Sequence, residues 1–83
     1  MTRLPRLSGR EMVKFPKGCG FQLVRVRGSH FFLAHRDRRT TVPVHGNRDL
    51  KTGTLRSILR DIDLSPAAFT QQWAERRARP DAA

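Results

Sequence analysis

The chain is poor in the residues that build covalent or metal-based frameworks. It has one cysteine, Cys19, one tryptophan, no tyrosine and only 7 acidic residues among 83. A single cysteine excludes an internal disulfide framework and any cysteine-rich metal site, which predicts a reducing, cytoplasmic setting. Cys19 itself is expected to be a small buried hydrophobic residue near a helix end. No run of residues is long or apolar enough to predict a signal peptide or a membrane span.

What the chain has in excess is positive charge. Lysine and arginine total 17, which gives a formal net charge of +10, and arginine accounts for most of it. Guanidinium groups bind phosphates in bidentate fashion, so nucleic acid is the favoured partner. A solvated basic surface and an acidic protein partner are the two alternatives. The length predicts a single small domain over 1–83, whose limited core favours a shallow surface site.

The N-terminal part of the chain predicts one helix. Residues 1–7 read as a loose basic lead-in, and Ser8 and Glu11 then form a capping-box pattern that starts a helix. Pro16 should kink or shorten this helix, because it cannot donate a hydrogen bond to the preceding turn. The segment 18–20, Gly-Cys-Gly, supplies the stop.

The C-terminal part predicts two more helices. The apolar residues of the first recur at helical spacing: Leu55, Ile58, Leu59 and Ile62. An additional C-terminal helix is predicted over 65–79, where Ser65 is the N-cap and Pro66 takes the first helical position. Its apolar stripe is Phe69 and Trp73, which we expect to pack rather than to stack on bases. Pro80 should end it, leaving 81–83 frayed.

Three strands are predicted between these helices, over 21–27, 30–35 and 40–45. Gly28-Ser29 is a two-residue hairpin signal, and a polar turn over 36–39 joins the second strand to the third. The order is α-β-β-β-α with a further C-terminal helix. This order predicts an α+β fold in which helices cover one face of a three-stranded antiparallel sheet.

Pairing the strands around these turns predicts which side chains share a face. The first turn sets Arg27 opposite His30 and Arg25 opposite Phe32, and the second sets His30 opposite His45. Because side chains alternate between faces, one face should be buried and contain Val24, Val26, Phe31, Leu33, Val42 and Val44. The other should be open and contain Arg25, Arg27, His30, Phe32, Thr41, Pro43 and His45.

The open face has the residue types that RNA cleavage requires. The RNA 2′-hydroxyl can attack its own phosphate if a side chain removes its proton, and this needs neither a metal nor a cofactor. His30 is the predicted catalytic residue and His45 the secondary candidate. Arg25 and Arg27 could hold the phosphate, and Phe32 could stack on a base or contact a protein. His35 points to the other face, so we expect it to be structural.

Five segments, taken in order from Ser8 to about Phe69, resemble the HicA family of bacterial toxins, the YcfA-like mRNA interferases. They are Ser8–Glu11, Gly18–Arg25, Gly28–His30, Val42–Asn47 and Lys51–Arg60. Each segment alone is weak evidence for the family, but the occurrence of all five in this order is specific to it.

The resemblance implies a fold like the double-stranded-RNA-binding domain and a small ribonuclease that cleaves mRNA and arrests growth. It implies a cognate HicB-family antitoxin that covers the toxin. The family's catalytic histidine lies in the Gly-Ser-His motif, which places it at His30, while His45 ends the characteristic Val-Pro-Val-His element. The predicted RNA contacts are Arg25, Arg27, Ser29, Phe32 and Lys51.

Two positions depart from the family pattern. Pro16 stands where a helix former is usual, and Asp63 stands where glycine is frequent before the Leu-Ser pair. Both affect helix lengths rather than the site. Two other interpretations stay open: a non-catalytic RNA-binding module, and an interaction protein whose basic face serves an acidic partner.

Overall fold

A computed structural model describes residues 3–78 of the chain. The elements follow the predicted order and consist of three helices and three strands: α1 Gly9–Gly18, β1 Gln22–Arg27, β2 His30–His35, β3 Arg38–Pro43, α2 Thr52–Asp61 and α3 Pro66–Ala78. The strands form one antiparallel sheet in the order β1-β2-β3. The predicted α+β fold is confirmed. The predicted end of the last helix at Pro80 and the tail at 81–83 lie outside the described residues.

Helix α1 begins with the predicted capping box. The Ser8 amide donates to Glu11 Oε1 at 2.9 Å, and the Glu11 amide donates to Ser8 Oγ at 3.1 Å. Pro16 lies inside the last turn, and the helix ends two residues later at Gly18. The Pro16 carbonyl accepts hydrogen bonds from the amides of Cys19 and Phe21, both at 2.9 Å. The helix thus continues through Pro16 and ends at the predicted Gly-Cys-Gly stop, and the Pro16 carbonyl connects the helix end to the segment that enters the sheet.

The first hairpin has the predicted register from its turn to Arg25, beyond which the pairing shifts by one residue, whereas the second hairpin is shifted by two residues. Arg27 pairs with His30 and Arg25 with Phe32, as predicted. In the second hairpin the turn is Arg36-Asp37 rather than 36–39, so β3 starts at Arg38. A shift of two keeps every side chain on its predicted face. The shift nevertheless changes which residues of β2 and β3 lie directly opposite each other.

The predicted pairing of His30 with His45 is therefore wrong. His30 pairs with Pro43, Phe31 with Val42 rather than Val44, and Phe32 with Thr41 rather than Pro43. Strand β3 ends at Pro43, so His45 lies beyond the sheet ladder.

The core lies between the sheet and the helices, and the β3 side of the sheet is covered best. Helix α1 packs against all three strands, and α2 packs against β3. The prediction that Val24 and Val26 are buried is wrong, since their side chains are 59% and 50% exposed. Val24 lies at an irregularity in β1 between Leu23 and Arg25. No helix covers this edge strand in the way that α2 covers β3.

Two other predictions of burial also need correction. Leu7, placed in the loose lead-in over 1–7, is only 1% exposed and belongs to the core. Its carbonyl accepts from the Leu50 amide at 2.8 Å, which ties the lead-in to the loop before α2. Cys19 is exposed, because it caps α1 at the turn into the sheet instead of lying on the helix face.

Helix α3 packs through the two predicted aromatic residues. Phe69 is buried, and its ring meets that of Phe15 edge-on with the centroids 4.8 Å apart. Trp73 stacks on Phe69 at 6.0 Å. The Arg76 guanidinium carbon lies 4.9 Å from the Phe15 ring centroid, a cation–π contact between α3 and α1. Within residues 3–78, no helix is both long and apolar enough to cross a membrane.

Candidate functional site on the open face of the sheet

The face of the sheet turned away from the helices presents His30 between two neighbours of different chemistry. His30 is exposed at the start of β2, with Arg27 of β1 opposite it on one side and Pro43 of β3 on the other. Directly opposed residues have Cβ atoms about 4.5–5.5 Å apart. A phosphate bound at Arg27 would therefore lie within reach of the His30 imidazole.

The next position along the same face is occupied by Phe32. Its side chain is half-buried, and its ring centroid lies 6.5 Å from that of His30 with the planes inclined by 51°. Arg25 and Thr41 flank Phe32 on β1 and β3. The arrangement sets an aromatic surface beside an imidazole, with one arginine next to each of them.

The sharp turn at Gly28-Ser29 holds His30 in place. Gly28 adopts φ 59°, the left-handed conformation that glycine takes without strain, and a Cβ added there would meet no atom within 4 Å. The Ser29 carbonyl accepts from the Val44 amide at 2.7 Å. This hydrogen bond fixes the turn to the segment after β3. The backbone of His30 is therefore held by its pairing in the sheet and by the bond at Ser29.

His45 and Lys51 lie in a separate cleft. A cavity of about 270 Å³ opens between the end of β3 and the start of α2, and it is lined by Pro43, His45, Arg48, Asp49, Leu50, Lys51 and Thr54. Lys51 caps α2 without any side-chain hydrogen bond to the first turn. Pro43 lines this cleft and also neighbours His30 on the sheet. The cleft therefore continues from the open face.

The structure thus divides the predicted site residues into two adjoining groups. Arg25, Arg27, His30 and Phe32 come together on the sheet, with Ser29 in the turn beside them, while His45 and Lys51 line the cleft. The prediction missed Arg39, which lies opposite Ala34 on the open face, and Arg48 in the cleft. Strand parity with the correct turn would have identified Arg39. Arg48 lies in a loop and has no periodic signal.

The open face is strongly basic. Arg25, Arg27 and Arg39 project from it, and Arg48 and Lys51 extend the positive charge into the cleft. Among the side chains described, those of residues 3–76, the one ion pair within 4 Å is Arg38–Asp63, at the far end of the sheet. The arginines of the open face are therefore not neutralised by carboxylates of the described chain, and an anion can bind them.

His35, unlike the exposed His30, packs against other side chains and has a structural role. It is half-buried at the end of β2, and its ring lies 5.5 Å from that of Phe21. A Cβ at Gly20, which has φ 99°, would come within 3.0 Å of the His35 ring. His35 packs where α1 turns into the sheet, which agrees with its predicted role.

Comparison with known families identifies a relationship over most of the described chain. A model described as the HicA toxin of bacterial toxin-antitoxin systems matches residues 9–64. The matched segment runs from the first residue of α1 to just beyond α2 and includes the whole open face and the cleft. Searches of curated proteins and of solved structures return no match.

Proposed function

Because the chain belongs to the HicA family of toxins from bacterial toxin-antitoxin systems, we propose that it is an endoribonuclease that cleaves mRNA in the cytoplasm. Cleavage would inhibit translation and growth until a HicB-type antitoxin, the partner that the family implies, blocks it. The observation that carries the proposal is the exposed His30 directly opposite Arg27 on a basic face. RNA is a suitable substrate because it carries its own nucleophile.

The proposed reaction is an internal transfer at phosphorus. His30 takes the proton of the 2′-hydroxyl, the 2′-oxygen forms a bond to phosphorus, and the bond from phosphorus to the 5′-oxygen breaks. The products are a 2′,3′-cyclic phosphate and a 5′-hydroxyl whose proton comes from a general acid or from water. Each proton transfer of this kind is worth about 10²–10⁴-fold in rate. No step needs a metal ion.

Arginine would stabilise the charge that develops in this reaction. The phosphorane-like transition state carries more negative charge than the bound phosphate, and Arg27 and Arg25 provide fixed donors on the same face as His30. Phe32 would position the RNA by stacking on a base, a contact that tolerates different sequences. Ser29 would contribute a hydroxyl at the turn.

The cleft would receive the phosphate of a neighbouring nucleotide. Lys51 and Arg48 supply positive charge there, and His45 is the secondary candidate for an acid or base. Since His45 does not oppose His30 in the sheet, its proposed contribution to the chemistry is smaller than that of His30.

The test compares two exposed histidines in cells. Wild type, His30→Ala and His45→Ala are expressed from a tightly repressed promoter while growth and mRNA integrity are followed together. We expect wild type to arrest growth and degrade message, His30→Ala to do neither, and His45→Ala to retain part of both activities. A His30→Ala protein that degrades mRNA as wild type does would contradict the proposal.

The basic face with Phe32 also favours a second function, RNA binding without cleavage. That function predicts growth arrest by wild type and by His30→Ala alike, with intact message. It also predicts RNA affinity that falls steeply with salt. The same experiment therefore separates the two.

A further inference from the structure

Strand β1 leaves its apolar side chains uncovered. Every residue of β1 is exposed. Among the described residues, the large apolar side chains that remain exposed all belong to this strand: Leu23, Val24 and Val26. Single exposed apolar residues are common on protein surfaces. Three of them concentrated in one six-residue strand, however, mark an interaction surface.

The backbone of β1 is open along the same edge. β1 is an outer strand of the sheet and pairs only with β2 in the described chain. The two-residue turn makes Arg27 and His30 a hydrogen-bonded pair, and such pairs alternate with non-hydrogen-bonded ones. Val26 therefore directs its amide and carbonyl away from β2. An extended segment could bind there as a fourth strand.

Charge determines what kind of segment fits. Arg25 and Arg27 lie on the open face of the sheet, and Val26 between them lies on the other face. A second copy of β1 paired antiparallel about Val26 would place each arginine directly opposite an arginine, which is destabilising. A segment with acidic residues on one face and an apolar residue on the other complements the strand. The net charge of +10 favours an acidic partner as well.

We propose that β1 is the docking edge for the antitoxin, which adds an extended segment of acidic and apolar residues to the sheet. The irregularity at Val24 confines backbone pairing to the part of β1 around Val26. Docking there brings carboxylates to Arg25 and Arg27, the residues that hold the phosphate in the proposed function. The antitoxin thus competes with RNA for the arginines beside His30. The inhibitory effect rests on the proposed function, but the docking itself does not.

The test separates the contribution of the Val26 backbone amide to antitoxin binding from the contribution of its side chain. Val26→Pro removes an outward amide without breaking a bond to β2, and edge strands tolerate proline at such positions. Val26→Thr keeps the amide and the β-branched shape and is the matched control. Affinity for the separately purified HicB-type antitoxin is measured by calorimetry in the His30→Ala background. We expect Val26→Pro to weaken binding by about tenfold or more and Val26→Thr by less than about threefold.

A second measurement needs no substitution in β1. Hydrogen exchange of the His30→Ala protein is followed free, with antitoxin, and with an uncleaved oligoribonucleotide. We expect antitoxin to slow exchange at the Val26 amide and RNA to leave that amide unchanged. Equal affinities of the proline and threonine variants, no protection at Val26 in the complex, or protection there by RNA would each overturn the docking proposal.

The two proposals can fail independently. Val26 is not part of the proposed catalytic or RNA-binding residues, so both Val26 variants in the wild-type background should cleave RNA at the wild-type rate when free of antitoxin. Loss of antitoxin binding with intact cleavage would support the docking site. A chain that binds antitoxin through β1 but never cleaves RNA would contradict the proposed function and leave the docking site standing.

Discussion

The two outer strands of the sheet have the same length and the same partner but very different surroundings. Both β1 and β3 have six residues and pair with β2. In β3, Thr40 and Val42 are buried, and the Thr40 hydroxyl donates to Asp61 Oδ2 of α2 at 3.0 Å. In β1 every residue is exposed. The β3 edge therefore stabilises the fold through its contacts with α2, while the β1 edge stays accessible to a partner.

The largest effect is expected where α1 meets the end of β3. A Cβ on Gly9 would overlap the Pro43 carbonyl oxygen and lie 3.1 Å from the Val44 Cα, both of which are backbone atoms. Gly9→Ala should therefore lower the free energy of unfolding by about 3 kcal/mol, because the backbone must move apart. Urea denaturation measures the change.

Gly53 provides the matched control for this prediction. It lies in α2, and a Cβ there would meet nothing within 4 Å. Gly53→Ala should raise the free energy of unfolding by up to about 1 kcal/mol, the usual gain for alanine over glycine in a helix. A Gly9→Ala protein as stable as wild type would show that the close packing of α1 against the end of β3 does not stabilise the fold.

The same substitution placed on both edges compares them directly. Val42→Ala removes two methyl groups from a fully buried site in β3 and should cost about 2 kcal/mol. Val26→Ala removes them from a half-exposed site in β1 and should cost less than about 0.5 kcal/mol. Thermal unfolding of the two variants gives the difference. Similar losses in stability would show that β1 is covered in solution.

The smallest effect is expected at the surface ion pair that joins the start of β3 to the segment after α2. Asp63 follows α2 with φ 59° and pairs with Arg38 at 3.5 Å, on the surface. Asp63→Gly relieves the left-handed strain and loses an ion pair that contributes little. We expect a gain of about 0.5 kcal/mol by thermal unfolding. Asp63→Asn removes the charge but keeps the Cβ, so it measures the effect of the ion pair without relief of the backbone strain. A large decrease in the free energy of unfolding in both variants would mean that the ion pair stabilises the fold.

How much of this could be predicted depended on local signals. Gly28-Ser29 specifies a two-residue turn, and its glycine takes the positive φ that the turn requires, so the first hairpin and the Arg27–His30 pair followed from the sequence. At the second turn the positive φ belongs to Arg36, an arginine, which gives no turn signal. The predicted turn over 36–39 is therefore two residues too long, and the predicted pairing of His45 with His30 is wrong.

The exposure of β1 could not be predicted, because it depends on where the helices dock. Alternation correctly assigned Val26 to the helix-facing side of the sheet, but α2 packs against β3 and leaves that side of β1 uncovered. Helix position is a long-range property that a strand pattern does not contain. At Asp63 the sequence did give a signal, since the position where glycine is frequent in the family has φ 59°.

The most direct test of the account is the cleavage of a purified oligoribonucleotide in the presence of EDTA, with analysis of the product ends. We expect the wild-type protein to leave 2′,3′-cyclic phosphate and 5′-hydroxyl ends and not to cut DNA of the same sequence. His30→Ala should cut the RNA at least about 100-fold more slowly. Cleavage of RNA by a well-folded His30→Ala protein at the wild-type rate would show that His30 on the open face does not carry out the reaction.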